Sequence, residues 1–377
     1  MRIELTEEQS LIKDSVARFV AERYPFDRRQ KLVATPEGYS EEDWQSFAEL
    51  GWLGLPLPET AGGLGMGPLE VGLVMESFGR GLVASPYLAT VLLGAGVVAA
   101  AGSAAQQSEI LPAVAEGRMK LTLAFAEDDR QDPAAIAAKA EPDGSGFLLT
   151  GVKAGVPYAA AADRILLVAR TGGRPGDASG LSFFLVDRHQ RGLEVRDYAA
   201  HDGSRVGTLR FERMVLGHDR LVGPKDGALP ILEAVLDRAR AALCAEASGI
   251  ANAVYEKTLS YFKTREQFGK LIGSFQALQH RLTDVYMKAE LLQSVAVDAA
   301  EAAASGDPAT RAAGVSAAKS LTGTLGREIG KEGVQLHGGI GMTWDYEAGH
   351  YLKRLTFIDL ALGDSHWHLE RFRRVSS

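Results

Sequence analysis

The chain has 377 residues, of which 46% are apolar and 24% charged, and its formal net charge is −7. This length supports a large buried core divided among two or three domains, in an ordinary globular protein. The acidic balance, without a run of Lys or Arg, argues against nucleic acid or an anionic membrane surface as the main partner.

Residues 1–118 are predicted to form an N-terminal α-helical domain. Thr6 precedes Gln9 with the spacing of a capping box, and apolar residues then recur at helical intervals. A second helix start is predicted at Ser40. Residues 59–67 are Gly-rich, but they do not match G-x-G-x-x-G and no strand precedes them. We therefore interpret them as a connection between helices.

Residues 119–222 show a different pattern. Four short β-rich runs, separated by turns, lie at residues 147–150, 164–169, 181–186 and 208–211. Strands without intervening helices indicate an antiparallel β domain, as a small barrel or a sandwich.

Residues 223–377 are predicted to form a C-terminal helical bundle. Its long helices run from Ile231 to Tyr261, from Phe275 to Ala303 and from Pro308 to Glu332. Their Ala-rich surfaces favour close packing. The fold class is therefore α+β and multidomain.

The single cysteine, Cys244, excludes an intramolecular disulfide and a zinc site built from several cysteines. Its apolar helical setting favours a packed core thiol. The N-terminus lacks the apolar core of a signal peptide, and no apolar run reaches transmembrane length. We expect no metal site, no membrane insertion and a cytoplasmic location.

A candidate ligand grip lies where the first two long helices meet. Arg265 offers a planar fork of donors suited to phosphate, Gln267 offers donors and acceptors, and Phe268 offers a flat face. The alternative is a helix end with an ordinary exposed arginine.

The domain order and three stretches resemble the acyl-CoA dehydrogenase family. The stretches are residues 265–269 (Arg-Glu-Gln-Phe-Gly), 275–276 (Phe-Gln) and 335–341 (Gln-Leu-His-Gly-Gly-Ile-Gly). The resemblance covers essentially the whole chain. It implies that FAD lies across a dimer interface, where the C-terminal bundle of one subunit holds the neighbour's adenosine diphosphate.

The resemblance also implies roles for individual residues. Arg265 would contact the pyrophosphate, Gln267 and Phe268 would hold the adenosine side, and Gln335, Gly338 and Gly339 would approach the same group. Glycines without Cβ let backbone N–H groups come close to an anion. The alternative for residues 338–341 is a flexible turn.

The chemistry implied by the resemblance is α,β-dehydrogenation of an acyl-CoA thioester. A carboxylate removes the α-proton while the β-hydride moves to the flavin N5, and a backbone N–H and a ribityl hydroxyl polarise the thioester oxygen. The base must reach the α-carbon and be shielded from water. An electron-transfer flavoprotein normally reoxidises the flavin.

The chain departs from the family at both familiar positions of the base. The position 24 residues after Gly338 holds Leu362, although the following glycine is present as Gly363. The second position, just before Arg240, holds Ala239.

Two acidic residues are candidate substitutes for the base. Asp364 lies two residues after Leu362. Glu246 lies seven residues after Ala239, on the same helix face but about 10 Å further along the axis. The alternative for each is structural: a capping or paired Asp364, and a Glu246 bonded to a neighbouring helix.

The flavin-ring segment has changed as well. Where the family has Thr-Glu-Pro-x-x-Gly-Ser-Asp, residues 126–133 read Ala-Glu-Asp-Asp-Arg-Gln-Asp-Pro, so the hydroxyls that bond the isoalloxazine are missing. The family's Trp-Ile-Thr run is replaced by residues 155–157 (Gly-Val-Pro). Tyr158 is a candidate replacement ring, and packing is its alternative role.

The residues that would grip a neighbour's FAD are thus present, whereas those that would hold the flavin ring of the chain's own FAD are lost. The sequence thus most resembles the small subunit of heteromeric α2β2 members, of the pimeloyl-CoA dehydrogenase type, with residues 336–343 and 350–355 as the subtype stretches. Such enzymes act on dicarboxylic, steroid and other bulky acyl-CoAs. A homologous companion would supply ring pocket and base.

Three alternatives stay open. The first is a self-sufficient homotetrameric dehydrogenase that uses Glu246 or Asp364 as its base. The second is a non-catalytic scaffold or regulator that keeps the fold. The third is a flavin oxidase or monooxygenase, because a fold does not fix a function.

Overall fold

The computed structural model describes residues 4–128, 132–144 and 146–376. Its helices are α1 (Glu7–Arg23), α2 (Phe26–Val33), α3 (Glu41–Glu49), α4 (Pro68–Gly81), α5 (Ala95–Ala101), α6 (Ala104–Ala115), α7 (Ala228–Thr264), α8 (Gln276–Ala304), α9 (Pro308–His337), α10 (Glu347–Leu360) and α11 (Ser365–Ser376). A π-helical segment, Leu88–Gly94, runs into α5.

The strands are β1 (Leu121–Ala124), β2 (Lys139–Asp143), β3 (Gly146–Pro157), β4 (Arg164–Arg170), β5 (Leu181–Asp187), β6 (Leu193–Ala199), β7 (Arg205–Gly217), β8 (Leu221–Val222), β9 (Glu266–Gln267) and β10 (Lys270–Leu271). The chain divides into two units. One comprises Met1–Lys31, Pro68–Val83 and Arg240–Ser377, and the other comprises Leu32–Gly67 and Ala84–Ala239. The domain boundaries expected from the sequence stay predictions.

Two helix starts follow the signals in the sequence. The Thr6 hydroxyl accepts the Gln9 N–H at 3.2 Å, and the Gln9 side chain accepts the Thr6 N–H at 3.0 Å, so the capping box is present. α9 begins at Pro308 because Asp307 caps it, its carboxylate accepting the Thr310 N–H at 2.8 Å. The three long helices predicted for the bundle are confirmed as α7, α8 and α9.

The β domain is one mixed sheet with the strand order β6-β7-β3-β2-β4-β5-β8, and β1 pairs with β4. Most pairings are antiparallel, as predicted, but β1 with β4 and β2 with β4 are parallel. Buried aromatic and aliphatic side chains of β3, β4, β5 and β7 form its core, with Phe147 and Phe184 in edge-to-face contact at 5.1 Å.

The unit that comprises Met1–Lys31, Pro68–Val83 and Arg240–Ser377 is mainly helical, and we call it the helical unit. Within it, glycines on one face of α9 let other helices approach closely. A Cβ added to Gly330 would lie 2.9 Å from the Leu352 side chain of α10, and one added to Gly333 would lie 2.6 Å from Val254 of α7. Both distances are below normal van der Waals contact, so a larger residue at either position would force its neighbour to shift. This packing fixes the end of α9, where Gly338 begins a turn.

Among the described residues, no helix has the length and apolar content needed to cross a membrane. The same residues contain no group of three or more His, Cys, Asp or Glu side chains placed to hold a metal ion.

Candidate functional site

The candidate grip begins as a short hairpin after α7. β9 and β10 pair antiparallel around a two-residue turn, Phe268 and Gly269, whose φ angles are 56° and 77°. Positive φ at both turn residues gives the tight twist of a two-residue hairpin, but costs energy for a residue with a Cβ. The Phe268 side chain is nevertheless 92% exposed. An exposed aromatic ring on a strained backbone is a feature expected of a ligand contact.

Arg265 has a fixed backbone and an exposed side chain. Its N–H donates to the Tyr261 carbonyl at 2.9 Å, and its own carbonyl accepts the Ile272 N–H at 2.9 Å. Within the described part of the chain its guanidinium makes no ion pair. The charge is therefore available to an external anion. Gln267, also exposed, turns its amide onto the Glu266 carbonyl at 2.7 Å.

The second part of the grip is the turn after α9. Gly338 caps the helix with φ 66° and ψ −143°, a conformation that glycine adopts readily because it has no Cβ. A Cβ added at Gly338 or Gly339 would meet nothing within 4 Å, so open space lies in front of both residues. Gln335, one turn earlier, is exposed. Backbone N–H groups in such a turn can approach an anion.

The structure brings the two parts together. The rings of Tyr261 and His337 lie 4.8 Å apart. Tyr261 is one helical turn before Arg265, and His337 directly precedes Gly338. An exposed guanidinium, an exposed aromatic ring and an open glycine turn thus share one region of the helical unit, which suits the diphosphate and adenosine end of a dinucleotide.

Glu246, the first candidate base, is buried in α7 and held by Arg354. Nε of Arg354 donates to one carboxylate oxygen at 2.6 Å and Nη2 donates to the other at 2.8 Å. A general base needs an oxygen directed at the substrate proton. The bidentate pair therefore favours the structural alternative for Glu246, and its catalytic role stays a prediction.

Asp364, the second candidate, caps α11. Its Oδ1 accepts the Trp367 N–H at 2.7 Å, as expected for an N-cap residue. The side chain is half-buried. The cap favours the structural alternative here as well, and the catalytic role of Asp364 also stays a prediction.

Leu362, at the family's usual base position, is buried and has φ 59°. Basic side chains hold its loop through backbone carbonyls. Nε of Arg240 donates to the Leu362 carbonyl at 2.9 Å, and Nε2 of His368 lies 3.1 Å from the same oxygen. Because a carbonyl only accepts, that nitrogen carries the proton. Burial and the nearby Arg240 hold the pKa of His368 well below its usual range.

Lys319 completes this loop anchor from α9. Its fully buried Nζ donates to the carbonyls of Asp359 at 2.9 Å and Gly363 at 3.0 Å. Burial lowers the pKa of Lys319 to about 8. The loop therefore keeps a rigid scaffold although it carries no carboxylate at Leu362.

Residues 129–131 of the flavin-ring segment lie outside the described residues, and Glu127 lies within them. The Glu127 carboxylate accepts from Nζ of Lys153 at 2.7 Å and from the N–H groups of Ala137 and Ala138 at 2.8 and 2.9 Å. Lys153 is fully buried, and burial lowers its pKa to about 8 although Glu127 opposes the shift.

Sequence reasoning missed the Glu127 pair, whose only signal was that Glu127 matches the glutamate of the family's Thr-Glu-Pro run. Tyr158 is buried, and its ring lies 6.0 Å from that of Tyr39. This contact favours the packing role for Tyr158 over a replacement for the lost flavin contacts.

Comparison with known families gives three matches in the order of the sequence. The N-terminal domain of acyl-CoA dehydrogenases matches residues 6–118, the middle domain matches residues 122–214, and the C-terminal domain matches residues 226–376. The chain belongs to the acyl-CoA dehydrogenase family. This membership confirms the predicted fold, with an N-terminal helical domain, a middle β domain and a C-terminal helical domain.

Individual relatives span nearly the whole chain. Acyl-CoA dehydrogenase FadE27 of Mycobacterium tuberculosis is 30% identical over 92% of this chain and 91% of that protein. A solved structure described as the Tcur3481-Tcur3483 steroid ACAD G363A variant is 31% identical, with a TM-score of 0.88 and 98% of both chains covered. The ChsE4-ChsE5 complex from Mycobacterium tuberculosis is 28% identical, with a TM-score of 0.87, and covers 99% of this chain and 98% of that one.

The family fixes the cofactor and the reaction class. The cofactor is FAD. The chain is accordingly an acyl-CoA dehydrogenase homologue, in the class of oxidoreductases that act on the CH–CH bond of an acyl-CoA.

Proposed function

We propose that this chain is one subunit of a heteromeric α2β2 acyl-CoA dehydrogenase. In this complex it grips the diphosphate of an FAD whose ring belongs to a homologous companion subunit. The observation that carries the proposal is the division between the two halves of the machinery. The grip at Arg265 and Gly338 is exposed and open, whereas apolar residues occupy both base positions, Leu362 and Ala239.

The remaining carboxylates support the same division. Both oxygens of Glu246 are engaged by Arg354, and Asp364 caps a helix. These structural roles occupy both oxygens of Glu246 and one oxygen of Asp364, so the companion is the better source of the base. This weighs against the self-sufficient homotetramer.

At the grip, the residues of this chain would bind and orient the diphosphate and the adenosine of FAD. The Arg265 guanidinium would neutralise pyrophosphate charge, and the backbone N–H groups of Gly338 and Gly339, with Gln335 beside them, would hold the same group. Gln267 and Phe268 would hold the adenosine side. When bound, FAD supplies the acceptor for the β-hydride of the acyl group.

Two of the similar structures are described by pairs of protein names, Tcur3481-Tcur3483 and ChsE4-ChsE5, and the first is called a steroid ACAD. They support a companion subunit, and the steroid ACAD supports a bulky acyl-CoA substrate. The family resemblance adds a dicarboxylic substrate of the pimeloyl-CoA type as a second candidate. We further propose an electron-transfer flavoprotein as the acceptor and the cytoplasm as the location.

The proposal is tested by purifying the chain alone and together with the homologous subunit that co-purifies with it. We expect the chain alone to bind little FAD and to lack dehydrogenase activity, and the pair to be yellow and active. A chain that alone carries full FAD and dehydrogenates acyl-CoA would contradict the proposal. Absence of FAD from every complex would favour the scaffold alternative.

A further inference from the structure

His337 lies between the two parts of the grip, and the family resemblance gives roles to its neighbours Gln335 and Gly338 but none to His337 itself. We infer that His337 is a positioning residue, whose buried ring fixes the Gly338–Gly339 turn relative to the last turn of α7, which carries Arg265. The inference rests on the proposed function, because it concerns the same FAD grip.

The first support is the hydrogen bond that His337 makes at the end of α9. Its side chain is buried, and Nδ1 lies 2.7 Å from the Gly333 carbonyl, one turn earlier in the helix. Since a carbonyl accepts, Nδ1 carries the proton. The side chain thereby gives a second donor to a carbonyl near the end of α9, and this bond fixes the ring in one orientation.

The second support is the packing on both sides of the ring. Tyr261 of α7 lies 4.8 Å away and Tyr346, just before α10, lies 5.1 Å away, each measured between ring centroids. The turn also folds back onto this residue, since a Cβ added to Gly341 would lie 3.1 Å from the His337 Cβ. One side chain thus connects α7, the glycine turn and the segment before α10.

The third support is the electrostatic setting. Burial lowers the pKa of His337, while the hydrogen bond to the Gly333 carbonyl and the charge of Glu347 oppose this shift. A neutral ring adds no charge to the grip, so its contribution is to hold Arg265 and the Gly338–Gly339 amides at the right separation. Small displacements of such groups weaken a bidentate or multidentate anion contact.

The test uses the assembled heteromeric complex and compares His337→Phe, which keeps a ring, with His337→Ala, which does not. FAD release is followed by flavin fluorescence after dilution, and kcat is measured per bound flavin. We expect FAD release to become about fivefold faster in H337F, from loss of one hydrogen bond, and about tenfold or more faster in H337A. We expect kcat per bound flavin to change less than about twofold, because the ring of the flavin lies elsewhere.

Two variants serve as controls. Tyr351→Phe removes another buried hydrogen bond of the same helical unit, from the Tyr351 hydroxyl to the Arg80 carbonyl at 2.8 Å, and should leave FAD release unchanged. Arg265→Ala removes the grip's cation and should accelerate release.

The outcomes separate the two proposals. If R265A accelerates release and neither H337F nor H337A does, the positioning role is wrong and the grip stands. If none of the three changes release, the grip itself is wrong. If Y351F accelerates release as much as H337F, loosening of the unit explains the effect and the inference fails. H337F decides the matter if H337A does not fold.

Discussion

Substitution of Glu246, which is paired with Arg354, distinguishes a structural role for this carboxylate from a role as the catalytic base. Glu246→Gln keeps the shape and one acceptor oxygen but removes the negative charge opposite a buried cation. Removing one partner of a buried ion pair costs about 3–5 kcal/mol. The Arg354 side chain is 17% exposed, so water screens part of its charge, and we place the loss near the lower end, at about 3 kcal/mol. At about 2–4 °C per kcal/mol, the Tm falls by roughly 6–12 °C.

The assay combines thermal unfolding with turnover per bound flavin in the purified complex. We expect E246Q to lower the Tm by roughly 6–12 °C. Turnover per flavin should change less than about threefold at a temperature where the complex stays folded. In the double variant Glu246→Gln with Arg354→Met neither charge of this pair remains, so most of the lost stability should return. A drop in turnover of about 10²-fold or more with little change in Tm would refute this reasoning and identify Glu246 as the base.

Two further predictions concern the loop around Leu362. Asp364→Ala should lower the free energy of unfolding by about 1 kcal/mol through loss of the α11 cap, whereas Asp364→Asn should retain the cap. A large loss of turnover in D364N would instead indicate that Asp364 is the base. Because the folded pKa of Lys319 is about 8, the unfolded chain binds an extra proton between that pH and the usual lysine pKa. The free energy of unfolding of the wild type should therefore rise relative to that of Lys319→Met, by up to about 1.4 kcal/mol per pH unit above pH 8, as measured by urea midpoints at several pH values. Equal pH dependence in both proteins would contradict a buried, perturbed Lys319.

The helices were predictable because local signals agree along the chain. The capping box at Thr6, the Pro308 start after Asp307 and the Ala-rich runs each act within a few residues. The hairpin at Phe268 was not predicted, because Phe-Gly is not one of the turn pairs that mark two-residue hairpins.

Pairings between distant residues were beyond sequence reasoning. Glu246 and Arg354 are far apart in the chain, and nothing local marks them as partners. Lys319 lies in a run of small residues, and a lysine in such a run is expected on an exposed helix face. It is fully buried instead, because loop carbonyls accept hydrogen bonds from its Nζ. The family motifs predicted the residues of the grip, whereas the tertiary contacts placed His337 between the two predicted parts.

The flavin-to-chain ratio of the purified complex tests the central claim most directly. If this chain holds only the diphosphate of FAD whose ring belongs to the companion, a symmetric α2β2 complex should contain about one FAD for every two chains. Arg265→Ala in this subunit alone should then deplete that flavin. A ratio of about one FAD per chain, with flavin retained in R265A, would show that this chain holds a complete cofactor of its own.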